Sequence, residues 1–411
     1  MNQSLESSYL QTKAAYVWTR VLDTPFWGLF NLLPIILYKD LQATPFQLAL
    51  MITLKPLVSI LSSYWSHHVQ ESGKLMKSII LARWCAYLPF LLFPFIESSW
   101  YIIFCFGLFM FLQVGMMPTW MELLKKNIPS HHRDKIFSYT QAFGYLGGGL
   151  LPFAIGWLLD EWTQAWRWMF PIAALVALTA TIWQRLMKAF ILKSDSPESN
   201  SFHPLFQPWK NAWTLLKKRP DFAKFQIGFM FIGSGLMIIQ PALPVFFVDK
   251  LHLSYTELGV AITLCKGIGF ACSSPLWVRW IQKVDLFYLG SVIASLAAVF
   301  TIFLVSAQSE IIWLYFAYLI YGLMQAGNEL SWNLSGPIFA KEENSSPFSG
   351  INVIAVGVRG MFVPILGGYL LAHFGSLSVI CISGCLCILA AIRMALYRYK
   401  LNSNDAYSTN A

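Results

Sequence analysis

Apolar residues run along this chain in long unbroken stretches, without the alternation of a half-buried strand or the one-sided stripe of a soluble helix. A helix needs about 20 apolar residues to cross ~30 Å of hydrocarbon. Stretches of that length fall at 14–38, 46–66, 76–96, 99–122, 136–159, 166–188, 222–248, 255–280, 285–307, 310–339, 348–373 and 376–398. The pattern predicts an all-α membrane protein with twelve transmembrane helices. Every second gap is short and poor in Lys and Arg: Lys39-Asp40, Glu97, Asp160-Glu161, Asp249-Lys250, 308–310 and the turn at Gly375. The gaps between these carry Lys74 and Lys77, then Lys125, Lys126, Arg133 and Lys135, then the long connection from Arg185 to Lys224, then Arg279 and Lys283, with Arg398 and Lys400 at the end. By the positive-inside rule both termini are expected in the cytoplasm. The first thirteen residues are polar and hold no apolar core. No cleavable leader is expected, and the first segment stays as an anchor.

The apolar pattern repeats. QVGMMPTW (Gln113 to Trp120) returns as QAGNELSW (Gln325 to Trp332), and the same offset pairs Gly148 with Gly360, Pro152 with Pro364 and Gly156 with Gly368. LPIILYKDL (Leu33 to Leu41) returns in the same way as LPVFFVDKL (Leu243 to Leu251). The expected organisation is two homologous six-helix bundles, 1–188 and 222–411, joined by a cytoplasmic linker at 189–221. Within the linker, Ser194 to Ser201 is rich in Ser, Pro and acidic residues and reads as flexible. The stretch PLFQPWKNAWTLLKKRP places Phe206, Trp209, Trp213 and Leu216 at helical spacing beside Lys210, Lys217 and Lys218. It predicts an amphipathic helix on the inner leaflet, ended by Pro220.

Composition narrows the class. Charged residues make up 12% and hydrophobic ones 56% of the chain, with a mean hydropathy of +0.55, a balance no soluble domain of this length keeps off its surface. The net charge of +9 lies in the gaps between apolar runs, where it orients a membrane protein, so no nucleic-acid partner is expected. All seven cysteines lie inside apolar runs without metal-ligand spacing, and neither a disulfide nor a metal site follows. His67-His68 and His131-His132 are adjacent pairs, which point to different faces of a helix and read as loop polarity.

Twelve helices in two repeated halves, with cytoplasmic termini and a long central loop, resemble the major facilitator superfamily across essentially the whole chain. The resemblance implies two pseudo-symmetric six-helix bundles around a central cavity that opens to either side in turn, lined chiefly by the first, fourth, seventh and tenth helices. The family's signature after the second helix is met only in part: Ser62, Ser66, His67 and His68 stand where its first half belongs, and Gly73-Lys74 and Lys77 match the remainder. Arg279 and Lys283 occupy the corresponding place after the eighth helix, without the glycines. Gly144, Gly147, Gly148, Pro152 and Gly156 resemble the family's glycine-proline fifth helix, and Gly360, Pro364, Gly367 and Gly368 do so in the eleventh. Small residues let helices approach closely and proline bends them, which serves gating and ordinary packing alike.

Ionisable groups in hydrocarbon cost several kcal/mol and usually face a cavity or one another. Asp23, Lys55, Lys266 and Arg359 fall near mid-membrane; Arg20, Glu122 and Glu329 lie nearer the cytoplasm. Lys55 and Lys266 hold nearly the same place in the two halves, so the pseudo-two-fold would turn them toward each other as an anion clasp, with Arg359, aligned with Gly147, as a third contact. Arg20 and Asp23, one turn apart, could instead pair together, and Glu329 could neutralise a lysine. Gln325, Asn328 and Trp332 share a face around Glu329, mirrored by Gln113 and Trp120, and suit hydrogen bonding to a solute or between helices. Asp23 and Glu329 are the candidate proton carriers.

The expected function is secondary transport of a small polar solute, an organic anion or zwitterion, across the cell inner membrane by alternating access. Proton-coupled import or drug-type export is the alternative within the class, and a transporter-like receptor or scaffold the alternative outside it. No phosphate-cradling loop and no convergent nucleophile and base appear, so no enzyme activity and no cofactor are expected. The expected partners are the solute, the bilayer and a co- or counter-transported proton or anion, with the protein a monomer.

Overall fold

A computed structural model of the chain describes residues 3–71, 75–114, 154–185, 207–340 and 346–408, with the single residues 151 and 343. Among these no strand occurs, and each of the twelve expected segments has a helical part. The first six helices are α1 (Gln3–Lys39), α2 (Pro45–Glu71), α3 (Leu75–Tyr87, tightening to 3₁₀ over Leu88–Leu92), α4 (Ser99–Phe109, widening to a π turn over Met110–Val114), α5 (154–161) and α6 (Trp166–Arg185). Then come α7 (Gln207–Lys218), α8 (Pro220–Ile238), which continues past a break at 239–241 to Lys250, and α9 (Tyr255–Ile281), with a π turn over Val260–Cys265. The last four are α10 (Leu286–Ser306), α11 (Ile312–Ala340), α12 (346–374) and α13 (376–408).

The sequence explains the breaks. Pro220 ends the amphipathic α7 and opens α8: Arg219 leaves helical geometry at φ −121°, ψ 79°, and the proline takes the first position of the next helix, where its missing N–H is no loss. Gly375 separates α12 from α13 at φ 77°, ψ 169°, a backbone that glycine adopts without strain. Helices outrun their apolar stretches most at the two ends of the chain. α1 starts at Gln3 and α13 ends at Ser408, because their polar extensions are also compatible with helix.

Six of the described stretches are long and apolar enough to cross a bilayer: Leu10–Lys39, Trp166–Arg185, Pro220–Lys250, Tyr255–Ile281, Leu286–Ser306 and the Gly375-broken Gly350–Tyr399. Their outer faces show large apolar side chains such as Ile172, Ile182, Leu276 and Phe362, each more than half exposed. In water such a surface would aggregate, whereas lipid solvates it.

By contact the chain forms two units, Met1–Ser196 with Leu253–Thr263, and Pro197–His252 with Leu264–Ala411. The first is centred on stacked and edge-on rings, with Phe26 against Tyr87, Phe90, Phe109 and Phe170. The second buries Phe222, Phe225, Phe287, Phe339 and Phe348. Aromatic pairs of this kind add about 0.5–1.5 kcal/mol beyond the area they bury. Within the second unit, α7 packs on α8 and on the 346–408 helices. Leu253–Thr263, the start of α9, packs with the first unit although the repeat assigns it to the second half.

Candidate functional site

In the first unit a buried ion pair joins three helices. Asp23 on α1 accepts hydrogen bonds from both terminal nitrogens of Arg83 on α3, at 3.2 Å from Nη1 and closer from Nη2, and from the Tyr87 hydroxyl at 2.9 Å. Arg83 turns its remaining donors to the Ala177 carbonyl on α6, from Nε at 3.1 Å and Nη2 at 2.6 Å. The side chains of Arg83 and Asp23 are 3% and 11% exposed, so each charge depends on the other. A bidentate fork suits such a site better than a lysine would. Local spacing offered Arg20 as one possible partner of Asp23; Arg83, on another helix, is a partner that spacing along α1 does not show. An arginine inside an apolar run was the signal available.

Lys55 sits on α2 beside Pro56, and its side chain is exposed. Gln113 lies in the π turn that ends the described part of α4 and is half-buried. Its companions Trp120, Glu122, Gly148 and Pro152 lie outside the described residues. Gly156 on α5 meets the backbone of Tyr255: a Cβ there would come within 2.6 Å of the Tyr255 carbonyl oxygen.

In the second unit a polar face runs along α11. Gly269 and Gly322 bring α9 and α11 into backbone contact, since a Cβ on Gly322 would fall 2.0 Å from the Lys266 carbonyl oxygen. That contact sets Lys266, half-buried directly after the π turn of α9, with its Nζ 5.3 Å from the centre of the Tyr321 ring and within electrostatic reach of Glu329. Inserted π turns are frequent at functional sites. Gln325, Asn328 and Trp332 are half-buried on the same helix. The Gln325 Oε1 and the Trp332 Nε1 are buried, with no hydrogen-bond partner among the described residues. An orphaned acceptor and donor at this depth each cost on the order of 1–3 kcal/mol.

A second polar group ties three helices. Gln226 on α8 donates to Asn352 on α12, whose Nδ2 donates to the Ser335 hydroxyl at 2.8 Å and the Trp332 carbonyl at 3.1 Å on α11. Gln226 and Asn352 carry no charge and have no helical partner in sequence, so no pattern marked them. Arg359 on α12 is 6% exposed. Its Nη1 donates to the Phe229 carbonyl at 2.9 Å, and the guanidinium fills the space left by Gly233, where a Cβ would fall 1.8 Å from Nη1. This placement gives Arg359 a packing partner on α8, while its Nε is buried and finds no hydrogen-bond partner among the described residues. Gly360, Pro364 and Gly368 follow on α12, all buried, and Gly367 abuts the Ile238 carbonyl of α8. Among the described residues no group of three or more His, Cys, Asp or Glu could hold a metal ion.

Twelve helices in two repeated halves, apolar faces fit for lipid and charges held inside them together define a polytopic membrane carrier. The chain belongs to the Major Facilitator Superfamily, whose family model matches residues 21–346. Solved structures of the same fold include a mutant of the nucleoside transporter NupG (TM-score 0.76, 11% identity, 95% of this chain and 99% of that one). They also include an auto-inhibited peptide transporter of the POT family (0.68, 11%, 94% and 96%) and a D-xylose-proton symporter (0.63, 16%, 94% and 96%). At these identities the likeness is one of fold. A comparison with curated protein sequences gives no match. The protein is thus a multi-pass integral membrane transporter.

Proposed function

We propose that the protein carries a small zwitterionic or anionic organic solute across the cytoplasmic membrane by alternating access, with both termini in the cytoplasm. The observation that carries the reading is the face around Lys266: an ammonium group, the Tyr321 ring, the Glu329 carboxylate and two orphaned buried hydrogen-bonding atoms on Gln325 and Trp332. A solute bearing both an acidic and a basic group would satisfy Lys266 and Glu329 together, and would supply partners for the amide and the indole. Lys55, the repeat-related cation of the first unit, supports the acidic half of that preference. Asn328 and Gln113 are the further polar contacts proposed.

Counterflow in sealed vesicles of purified protein, with a panel of zwitterionic, anionic, cationic and neutral solutes, tests the reading. Exchange of a zwitterion or anion, weakened about tenfold or more by Lys266→Gln, is the expected result, since one lost charge-assisted contact is worth about 1.5–3 kcal/mol. Exchange confined to cationic or neutral solutes would overturn it, and no exchange of any solute would favour a receptor or scaffold.

The half-buried Glu329 also supports a second reading, proton coupling, in which this carboxyl is the proposed proton carrier in preference to Asp23, which Arg83 and Tyr87 engage. Glu329→Gln should then abolish proton-driven uptake, while counterflow persists, weakened only by the lost contact to the solute. Loss of proton drive in Asp23→Asn alone would reverse this order.

A further inference from the structure

The end of the second unit where α7 meets α8 and the 346–408 helices gathers Lys210, Lys217, Lys218, Lys224 and Arg393, which have no acidic partner among the described residues, beside Arg219, paired with Asp221 and Glu343, and Arg398, paired with Asp285. α7 (QPWKNAWTLLKK) contains no Asp or Glu. Around its axis the residues fall into ordered strips. Ala212, Leu215 and Leu216 pack on the core of the unit. Trp209 and Trp213 occupy the next strip, 40% and 64% exposed. Lys210 and Lys217 lie beyond them, with Lys217 Nζ 5.4 Å from the Trp213 ring. A helix lying at the edge of a bilayer needs this order: an apolar side against the protein, amphipathic rings at the boundary of acyl chains and headgroups, and ammonium groups at the level of the phosphates.

Beside α7 the cations converge. Lys224 Nζ on α8 and the Arg393 guanidinium on α13 each lie 5.7 Å from the Tyr397 ring. Arg393 Nη2 donates to the Tyr397 hydroxyl at 3.2 Å, while its Nε is buried and unpartnered. Two like charges brought to one ring repel each other, and an anion within reach of both would offset that cost. Ile392 and Leu396, 53% and 57% exposed, continue from this point along the outer face of α13 and offer a track for an acyl chain.

We propose that α7, the first turns of α8 and the last turns of α13 form a docking surface for an anionic phospholipid of the adjoining leaflet. Lys224 and Arg393 take its phosphodiester, and the lysines of α7 hold further anionic headgroups around it. A phospholipid fits better than a soluble phosphate, because the exposed tryptophans and the apolar track beside Arg393 have no use for a free ion.

Native mass spectrometry of the full-length protein, released from micelles holding equal amounts of phosphatidylglycerol and phosphatidylcholine, reads the preference directly. The wild type should retain phosphatidylglycerol over phosphatidylcholine. Lys224→Gln/Arg393→Gln should cut phosphatidylglycerol retention about tenfold or more, at roughly one contact per cation lost, and Lys210→Gln/Lys217→Gln/Lys218→Gln should cut it several-fold. Neither set should alter phosphatidylcholine, and Lys250→Gln, an exposed lysine at the opposite end of α8, should change nothing. The three α7 lysines are exposed, so that variant carries the test if the double substitution does not fold. Equal retention of both lipids by the wild type, or an undiminished preference in the α7 variant, would overturn the proposal. So would displacement of phosphatidylglycerol by millimolar inorganic phosphate, which would reassign the site to a soluble anion.

Discussion

Asp23 and Arg83 meet where neither charge has water to fall back on, and the consequence of separating them follows from that. Arg83→Met should lower stability by about 3–5 kcal/mol, because a buried carboxylate loses its bidentate partner. Asp23→Asn with Arg83→Met should recover a good part of the loss, since no charge then remains. Thermal unfolding in detergent of the single and double variants checks it, and equal losses in all of them would mean that the pair contributes packing alone. Asp23 is legible in the sequence as a charge in need of a partner. Arg83, 60 residues away, is not, since spacing along one helix points to Arg20 and only the packing of α1, α3 and α6 brings the fork to the carboxylate. The same holds for Arg359: its depth can be counted along the helix, but the notch at Gly233 that receives it belongs to another element. On α11 the sequence does better. Gln325, Asn328, Glu329 and Trp332 share one helix, where spacing alone defines a face.

Helix ends supply the next level of control. The start of α9 is capped twice: Ser254 and Glu257 form a reciprocal capping box, and Asp160, at the end of α5, accepts from the Tyr255 and Thr256 N–H groups at 2.7 and 2.8 Å. A carboxylate there satisfies orphan donors and opposes the positive end of the helix. Asp160→Ala should therefore cost about 0.5–2 kcal/mol in thermal unfolding, and no measurable loss would mean that the capping box suffices. Nearby, burial pushes the Asp40 carboxyl above its ordinary value of 3.8, while the Tyr255 hydroxyl and the Lys39 ammonium pull the other way. A carboxyl that holds its proton more tightly when folded makes stability fall as pH rises from its ordinary value through the raised one. Asp40→Asn should remove that part of the pH slope, and melting curves between pH 4 and 7 that keep the wild-type slope would count against it. Capping boxes can be read from Ser-x-x-Glu. A cap supplied by Asp160, 95 residues away, cannot, which is also why Leu253–Thr263 reads as part of the second half while packing with the first unit.

At the scale of the whole molecule the bilayer does most of the specifying. Twelve segments are legible because each must be apolar over about 20 residues, and two halves are legible because the repeat keeps its glycines, prolines and tryptophans in step. The orientation rests on the same economy of means: Lys and Arg fall in alternate gaps, and translocating them is disfavoured. Lys126 and Lys210 should accordingly lie in the cytoplasm, and Glu161 and Glu310 outside. Single cysteines at these positions, in a background without the seven native ones, can be probed in intact cells with a membrane-impermeant maleimide. Reagent outside should label positions 161 and 310 and spare 126 and 210 until the membrane is opened. Labelling of 210 but not 161 would invert the topology. It would also move the basic surface of α7 to the opposite leaflet, so that the lipid reached by Lys224 and Arg393 would be drawn from the outer one, and the lysines would have been placed against the rule that explains every other gap in the chain.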